Sequence, residues 1–98
     1  MIRHMVMFRW TPEATREQKE LVKSELGRLP SLVPQVRAFH LGEDLGLVGD
    51  VNFDFALAAD FDDLAGYLAY RENEEHRKIV ETFVQPIVGA RGAVQYEI

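Results

Sequence analysis

Apolar and polar positions alternate with a period of two in four segments of the chain, and this pattern predicts four β-strands. In the first segment, one face carries large apolar side chains together with His4, and the other face carries Met5 and Met7 between arginines. A strand that is apolar on both faces is usually covered on both sides. The predicted strands are IRHMVMFRW, QVRAFHLG, VNFDFALAADF and GAVQYEI.

A helical period of three to four residues separates the first two strands. Thr15 and Gln18 form the pattern of a capping box, so we expect the helix to begin there. Gln18, Val22, Leu26 and Leu29 then lie on one stripe. Pro30 is expected to end this helix.

Two shorter helical patterns separate the last two strands. Asp60 is expected to cap the first, which contains Leu64, Tyr67 and Leu68. The second is expected to begin near Asn73, and Pro86 is expected to end or kink it. Its inward stripe consists of His76, Ile79, Val80, Phe83 and Ile87. Gly89 and Gly92 are expected to form a turn before the last strand.

The resulting order, β-α-β-β-α-β with the second helical element broken in two, predicts a single α+β domain over residues 1–98. This is the ferredoxin-like plan, a four-stranded antiparallel sheet with helices on one face. The other face is expected to carry Met5, Met7 and Phe39, which would form an exposed apolar patch. We therefore expect a homodimer in which two sheets pack together as an α/β barrel.

Composition narrows the classes of function. The 98 residues carry a formal net charge of −5 and no cysteine, which excludes disulfides, thiolate catalysis and cysteine-ligated zinc. No clustered basic face is visible, so no nucleic acid is expected as a partner. No apolar run approaches the ~20 residues of a membrane span, and the N-terminus does not resemble a signal peptide. A cytoplasmic location is the expectation.

The polar segment AYRENEEHRK, residues 69–78, contains the candidate chemistry. Asn73, followed by Glu74 and Glu75, is explained as a helix cap with carboxylates in the first turn. Tyr70 and His76 stand on either side of that cap. His76 faces inward and is either a general base or a core residue with local hydrogen bonds. Tyr70 either donates a hydrogen bond to a carbonyl or is an amphipathic residue at a helix end.

The other two histidines are His4 and His40. His4 shares a strand face with Val6 and Phe8 and either faces the same space or is a satisfied core or dimer residue. His40 lies beside an acidic loop and is interpreted as a solvated surface residue. Glu72 and His76 are four residues apart, but no third ligand has a suitable spacing, so no metal site is predicted. No phosphate-binding glycine loop is present, and no cofactor is expected.

Four stretches of the chain together resemble the stress-responsive A/B barrel (Dabb) family. They are IRHMVMFRW, LPSLVPQVRAFHLGED, DFALAADFDDLAGYLAYRENEEH and PIVGARGAVQYEI. The resemblance implies a dimeric α/β barrel. One enzymatic branch, the plant olivetolic acid cyclases, closes a linear polyketide by aldol condensation without a cofactor. By that resemblance Tyr70 and His76 match its tyrosine and histidine, and His4 matches a further site histidine.

The leading functional hypothesis is a protein that binds a small apolar, aromatic or polyketide-like molecule between sheet and helices. If it is an enzyme, His76 and Tyr70 are the catalytic candidates for cofactor-free acid/base chemistry of the aldol type. Substrate-binding positions are expected at His4, Val6, Phe8, Val22, Leu26, Phe55, Leu57, Ile79 and Phe83. Two alternatives stay open: a non-catalytic dimeric stress-response or accessory protein with a closed pocket, and a cofactor-free aromatic monooxygenase.

Overall fold

The computed structural model describes all of residues 1–98. The strands are β1 (Ile2–Trp10), β2 (Ala38–Glu43), β3 (Phe55–Phe61) and β4 (Val88–Glu97). The helices are α1 (Arg16–Leu26), α2 (Leu29–Leu32), α3 (Leu64–Glu72) and α4 (Glu74–Ile79). A π-helical turn (Val80–Val84) and a 3-10 turn (Gln85–Ile87) join α4 to β4, and a second 3-10 turn (Gly49–Val51) precedes β3.

The four strands form one antiparallel sheet in the order β2-β3-β1-β4. His4 in the central strand β1 pairs with Ala59 of β3 on one side and with Gln95 of β4 on the other. The predicted ferredoxin-like arrangement is therefore confirmed. None of the helices is both long enough and apolar enough to span a membrane.

The capping box of α1 is confirmed, but the predicted end of this helix is wrong. The Thr15 side chain accepts a hydrogen bond from the Gln18 N–H, and the Gln18 side chain accepts one from the Thr15 N–H. The helix ends at the C-cap Gly27, and Pro30 lies in the first turn of α2. A proline is tolerated there because its missing N–H would have no partner in a first helical turn.

The prediction that Asp60 caps α3 is wrong. Asp63 is the N-cap, and its side chain accepts a hydrogen bond from the Gly66 N–H at 2.9 Å. Asp60 instead lies in β3, where the Arg3 guanidinium donates two hydrogen bonds to its carboxylate, at 2.8 and 2.9 Å. This pairing holds the pKa of Asp60 below its usual range. The cap predicted at Asn73 is confirmed by the start of α4 at Glu74.

Several predicted boundaries differ from the structure at strand ends. Strand β2 begins at Ala38 because a turn, with the Val36 N–H donating to the Val33 carbonyl, occupies the preceding residues. Strand β4 begins at Val88, so Gly89 and Gly92 lie inside this strand and do not form a turn. Pro86 lies in the 3-10 turn that leads into it, after the helical region has ended.

The core lies between the helices and one face of the sheet. Val22 and Leu26 of α1, Leu29 of α2 and the β3 residues Phe55 and Phe61 are almost fully buried there. Burial of each such side chain stabilises the fold by roughly 1.5–3 kcal/mol.

The prediction that Phe39 lies on the opposite, open face is wrong. Phe39 pairs with the core residue Ala59 and packs against the core cluster. The register places Met5 and Met7 on the open face, together with Val94 and Tyr96 of β4. Met7, Val94 and Tyr96 are exposed. This set of Met5, Met7, Val94 and Tyr96 is called the open apolar face below.

Candidate functional site

A cavity of about 310 Å³ lies between the sheet and the helical layer. This volume is at the lower end of the range for small-molecule sites. The apolar residues of its wall come from β1, α1, β3, the π-helical turn and β4. They are Val6, Phe8, Leu26, Leu57, Val80, Val84 and Val88. Its polar and charged wall consists of His4, Tyr67, Tyr70, Arg71, His76, Gln85 and Arg91.

Seven of the residues proposed from the sequence come together around this cavity: His4, Val6, Phe8, Leu26, Leu57, Tyr70 and His76. Four others do not line it: Val22, Phe55, Ile79 and Phe83. Val22, Phe55 and Ile79 are core residues, with at most 4% of their surface exposed. Phe83 is partly buried against the same core.

Tyr70 and His76 are in direct contact, with ring centroids 4.2 Å apart and ring planes inclined by 36°. Asn73, between them, fixes this arrangement. Its N–H donates to the Tyr70 carbonyl at 3.2 Å, and its side-chain oxygen accepts from the His76 N–H at 3.1 Å. One residue thus ends the helix that carries Tyr70 and begins the helix that carries His76.

His76 lines the cavity and has one ring nitrogen without a hydrogen-bond partner. Its Nδ1 atom is buried and has no hydrogen-bond partner within the protein. Burial lowers the pKa of the His76 imidazole, the main chain of Arg71 acts in the opposite direction, and the Arg91 charge lowers it further. His76 is therefore neutral near pH 7. A buried polar atom without a partner is costly, and a bound ligand can supply the missing hydrogen bond.

Tyr70 keeps its proton across the physiological range. Its side chain is only 3% exposed, and burial raises the pKa of its hydroxyl well above the ordinary value. The ring packs against Phe61 at 5.1 Å and against His4 at 5.9 Å between centroids. A neutral phenol held in this way is a hydrogen-bond donor, suited to an oxygen on which negative charge develops.

His4 adds a second neutral imidazole. Burial lowers its pKa to about 4, and the positive charge of Arg91 adds to the effect. Its Nδ1 lies 2.9 Å from the side-chain nitrogen of Gln95 on the neighbouring strand. With the amide in this orientation Nδ1 accepts the bond, so the Nε2 atom of His4 carries the proton and is a donor.

Several cavity residues were missed by the sequence analysis. Tyr67 is three residues before Tyr70, so the helical period could have placed it on the same face. Arg71 and Arg91 carried no signal, since arginines are spread along the whole chain. Arg91 is opposite Phe8 in the β1–β4 register, which only the structure provides. His40 is exposed, as expected, and lies outside the cavity.

The cavity wall contains no carboxylate. No group of three or more histidine, aspartate or glutamate side chains in the chain is arranged to hold a metal ion. The groups available for chemistry are therefore two neutral imidazoles, two tyrosine hydroxyls, one amide and two guanidinium groups.

The sequence profile of the family described as "Stress responsive A/B Barrel Domain" matches residues 2–98. A comparison with curated protein sequences finds no match. Among solved structures, a dimeric ferredoxin-like protein of unknown function from Thermobifida fusca is 37% identical, with a TM-score of 0.90. The alignment covers 99% of this chain and 90% of that protein.

Two further structures share the fold at lower identity. The hydroxynitrile lyase from Passiflora edulis is 21% identical with a TM-score of 0.86, over 99% of this chain and 92% of the lyase. A Dabb family protein with a ferredoxin-like fold from Mesorhizobium loti is 20% identical with a TM-score of 0.83, over 99% of this chain and 95% of that protein.

Proposed function

The chain belongs to the stress-responsive A/B barrel domain family, and we propose that it is a cofactor-free acid/base enzyme acting on a small aromatic or polyketide-like carbonyl compound. The observation that carries this proposal is the unpartnered, buried Nδ1 of a neutral His76 in contact with the Tyr70 ring. The imidazole that would act as base and the phenol that would act as donor belong to the wall of one cavity, which also contains seven apolar residues.

In the proposed reaction, His76 removes a proton from a carbon next to a carbonyl group. The Tyr70 hydroxyl donates a hydrogen bond to the carbonyl oxygen, on which negative charge develops as the enolate forms. In an aldol-type closure, the enolate carbon bonds to a second carbonyl carbon of the same molecule. The proton held by His76 then passes to the new alkoxide, which restores neutral His76 and leaves the protein unchanged.

The open volume of the cavity favours a ligand site over the alternative of an accessory protein whose pocket is closed by side chains. The apolar wall would hold the carbon skeleton, and His4 would offer its Nε2–H as a second donor. Cleavage of a hydroxynitrile, the activity for which the Passiflora edulis lyase is named, also uses a base. The base accepts the hydroxyl proton as the carbon–cyanide bond breaks, and the proton then passes to the cyanide that leaves.

The test is proton exchange on a simple ketone. Incorporation of deuterium from D2O into the methylene next to the carbonyl of 4-phenyl-2-butanone is followed by NMR for the wild type, His76→Gln and Tyr70→Phe. We expect losses of about 10²–10⁴-fold for His76→Gln and about 10²-fold for Tyr70→Phe. His40→Gln, at a histidine outside the cavity, is the matched control and should leave the rate unchanged.

The pH profile gives a second readout. Because burial lowers the pKa of His76, the base stays neutral at pH values where an ordinary histidine, with a pKa of about 6.5, is half protonated. The midpoint of the decline in rate on acidification should therefore lie below pH 6.5. Exchange rates in the His76→Gln and Tyr70→Phe variants equal to the wild type, or no exchange above buffer, would rule out the proposed chemistry.

We also propose that the protein is a homodimer formed through the open apolar face. The Thermobifida fusca relative, 37% identical, is dimeric. Beside this face, the loop before β3 exposes Leu45, Leu47, Val48 and Val51. Val51 and Met7 line a common cleft, so the loop adjoins this face. Burial of such a surface against a second copy would stabilise a small domain.

A further inference from the structure

Two arginines line the cavity, one from each layer of the fold. Arg71 follows Tyr70 in α3, and Arg91 projects from β4 opposite Phe8 of β1. Both arginines are exposed, so each belongs to the cavity wall and is also in contact with solvent. No aspartate or glutamate lines the same space.

Neither arginine forms an ion pair, although the chain contains sixteen acidic residues. Four other arginines hold carboxylate partners within 4.0 Å: Arg3, Arg16, Arg28 and Arg37. Arg9 lies over the Phe53 ring. Two cations left without partners at one cavity, in a chain of net charge −5, form a local positive site in an acidic protein.

The charge of Arg91 also reaches the interior of the cavity. It lowers the pKa values of His4 and His76, because a nearby cation disfavours a protonated imidazole. It acts on Tyr70 in the same direction, because it favours the ionised phenol. All three candidate chemical groups therefore lie within the field of this guanidinium.

We propose that the ligand of this cavity is a carboxylate-bearing aromatic or keto acid, whose carboxylate is held by Arg71 and Arg91. Guanidinium groups bind planar carboxylates through paired, charge-assisted hydrogen bonds. The apolar body of the acid lies against Val80, Val84 and Val88, and its carbonyl end reaches Tyr70 and His76. This inference rests on the proposed function for the location of the site and adds the charge of the substrate.

The test compares an acid with its neutral ester. Binding of 3-benzoylpropanoate and of its methyl ester is measured at 50 mM salt, by calorimetry and by shifts of backbone NMR resonances. We expect the wild type to bind the acid about tenfold more tightly than the ester, as for one charge-assisted contact partly screened by water.

Variants that remove the charge of Arg71 or of Arg91 test whether these residues cause the preference for the acid over the ester. Arg71→Gln and Arg91→Gln are each expected to weaken acid binding about three- to tenfold, and the double variant should bind acid and ester equally. Arg77→Gln is the matched control, because Arg77 is an exposed arginine of α4 without an ion-pair partner and outside the cavity. Its acid preference should equal that of the wild type.

Three outcomes would overturn the inference: equal binding of acid and ester by the wild type, a preference that persists in the double variant, or an equal loss in Arg77→Gln. Absence of binding by both compounds would overturn the ligand site as well. Selective binding of the acid without proton exchange would support the anion site while removing the proposed catalysis. Proton exchange on the neutral ketone without a preference for the acid would support the proposed catalysis and remove the anion site.

Discussion

At the scale of single residues, His4 is set apart by its environment. Its ring is almost fully buried, and one nitrogen is held by Gln95, a residue whose own side chain is exposed. An imidazole in this position is neutral in the folded protein over most of the pH range in which a solvated histidine becomes charged.

This difference predicts an acid-sensitive contribution to stability. The pKa of His4 is about 4 in the folded chain and about 6.5 when unfolded, so the unfolded state binds more protons between these values. Folding stability should therefore fall as the pH is lowered from about 6.5 to 4. In His4→Gln this fall should be smaller by about 1–2 kcal/mol, a figure reduced for the solvent that reaches the ring.

Urea unfolding of the wild type, His4→Gln and His40→Gln at pH 7.0 and pH 4.5 measures the effect. His40→Gln leaves His4 and its partner Gln95 in place and should retain the wild-type difference between the two pH values. His76 has a lowered pKa for the same reason and keeps part of the dependence in every variant. A wild-type pH difference in His4→Gln would contradict the assignment.

At the scale of elements, Asn73 joins α3 to α4 and orients the Tyr70–His76 pair. Asn73→Ala should lower the free energy of unfolding by about 1 kcal/mol through loss of the cap. It should also reduce the proton-exchange rate, because the first turn of α4, which carries His76, is no longer anchored.

Thr15→Ala separates the two effects. Thr15 caps α1, away from the cavity, and its loss should cost a similar amount of stability. Only the Asn73 variant should lose exchange activity at a temperature where both proteins are fully folded. Equal activity in the two variants would show that the cap does not position the pair.

Local rules predicted most of the fold, because alternation, the capping box of Thr15 and the cap at Asn73 are all readable along the chain. They failed where two choices satisfied the same rule. Asp60 and Asp63 both fit a cap, and only pairing with Arg3 removes Asp60 from that role. Alternation puts Phe39 opposite His40 but cannot say which face is covered, which depends on pairing with β3.

The π-helical turn explains why Phe83 does not line the cavity, contrary to the prediction. A regular helix from His76 would continue its inward row through Ile79, Val80 and Phe83. In the turn, the Gln85 N–H bonds to the Val80 carbonyl, five residues earlier, so each turn contains an additional residue. After Val80, the residues that line the cavity are therefore Val84 and Gln85, and not Phe83. No residue type in this segment marks such a turn, so the sequence pattern alone did not indicate it.

At the scale of the whole molecule, the open apolar face determines the expected assembly. Met7 and Val94 belong to this face on adjacent strands, and both are exposed in the single chain. Met7→Glu combined with Val94→Glu should leave the fold intact, since neither side chain is part of the core. In a two-fold dimer, these variants would bring like charges together across the interface.

Light scattering at micromolar concentration should give a dimer for the wild type and a monomer for the Met7→Glu/Val94→Glu variant. Leu64→Glu, at an exposed leucine in α3 away from the sheet, is the control and should remain dimeric. A monomeric wild type would refute the homodimer. A variant that is still dimeric would place the interface elsewhere.

The π-helical turn also bears on how relatives of this chain differ in what they bind. Because the turn contains one residue more than a regular helix would, the length of the segment from His76 to Pro86 sets which side chains reach the cavity. Loss of a single residue there could be absorbed by a return to regular helix, with the sheet and the Tyr70–His76 contact unaltered. Selectivity in this fold can therefore diverge through insertion and deletion, a change that position-by-position identity does not register.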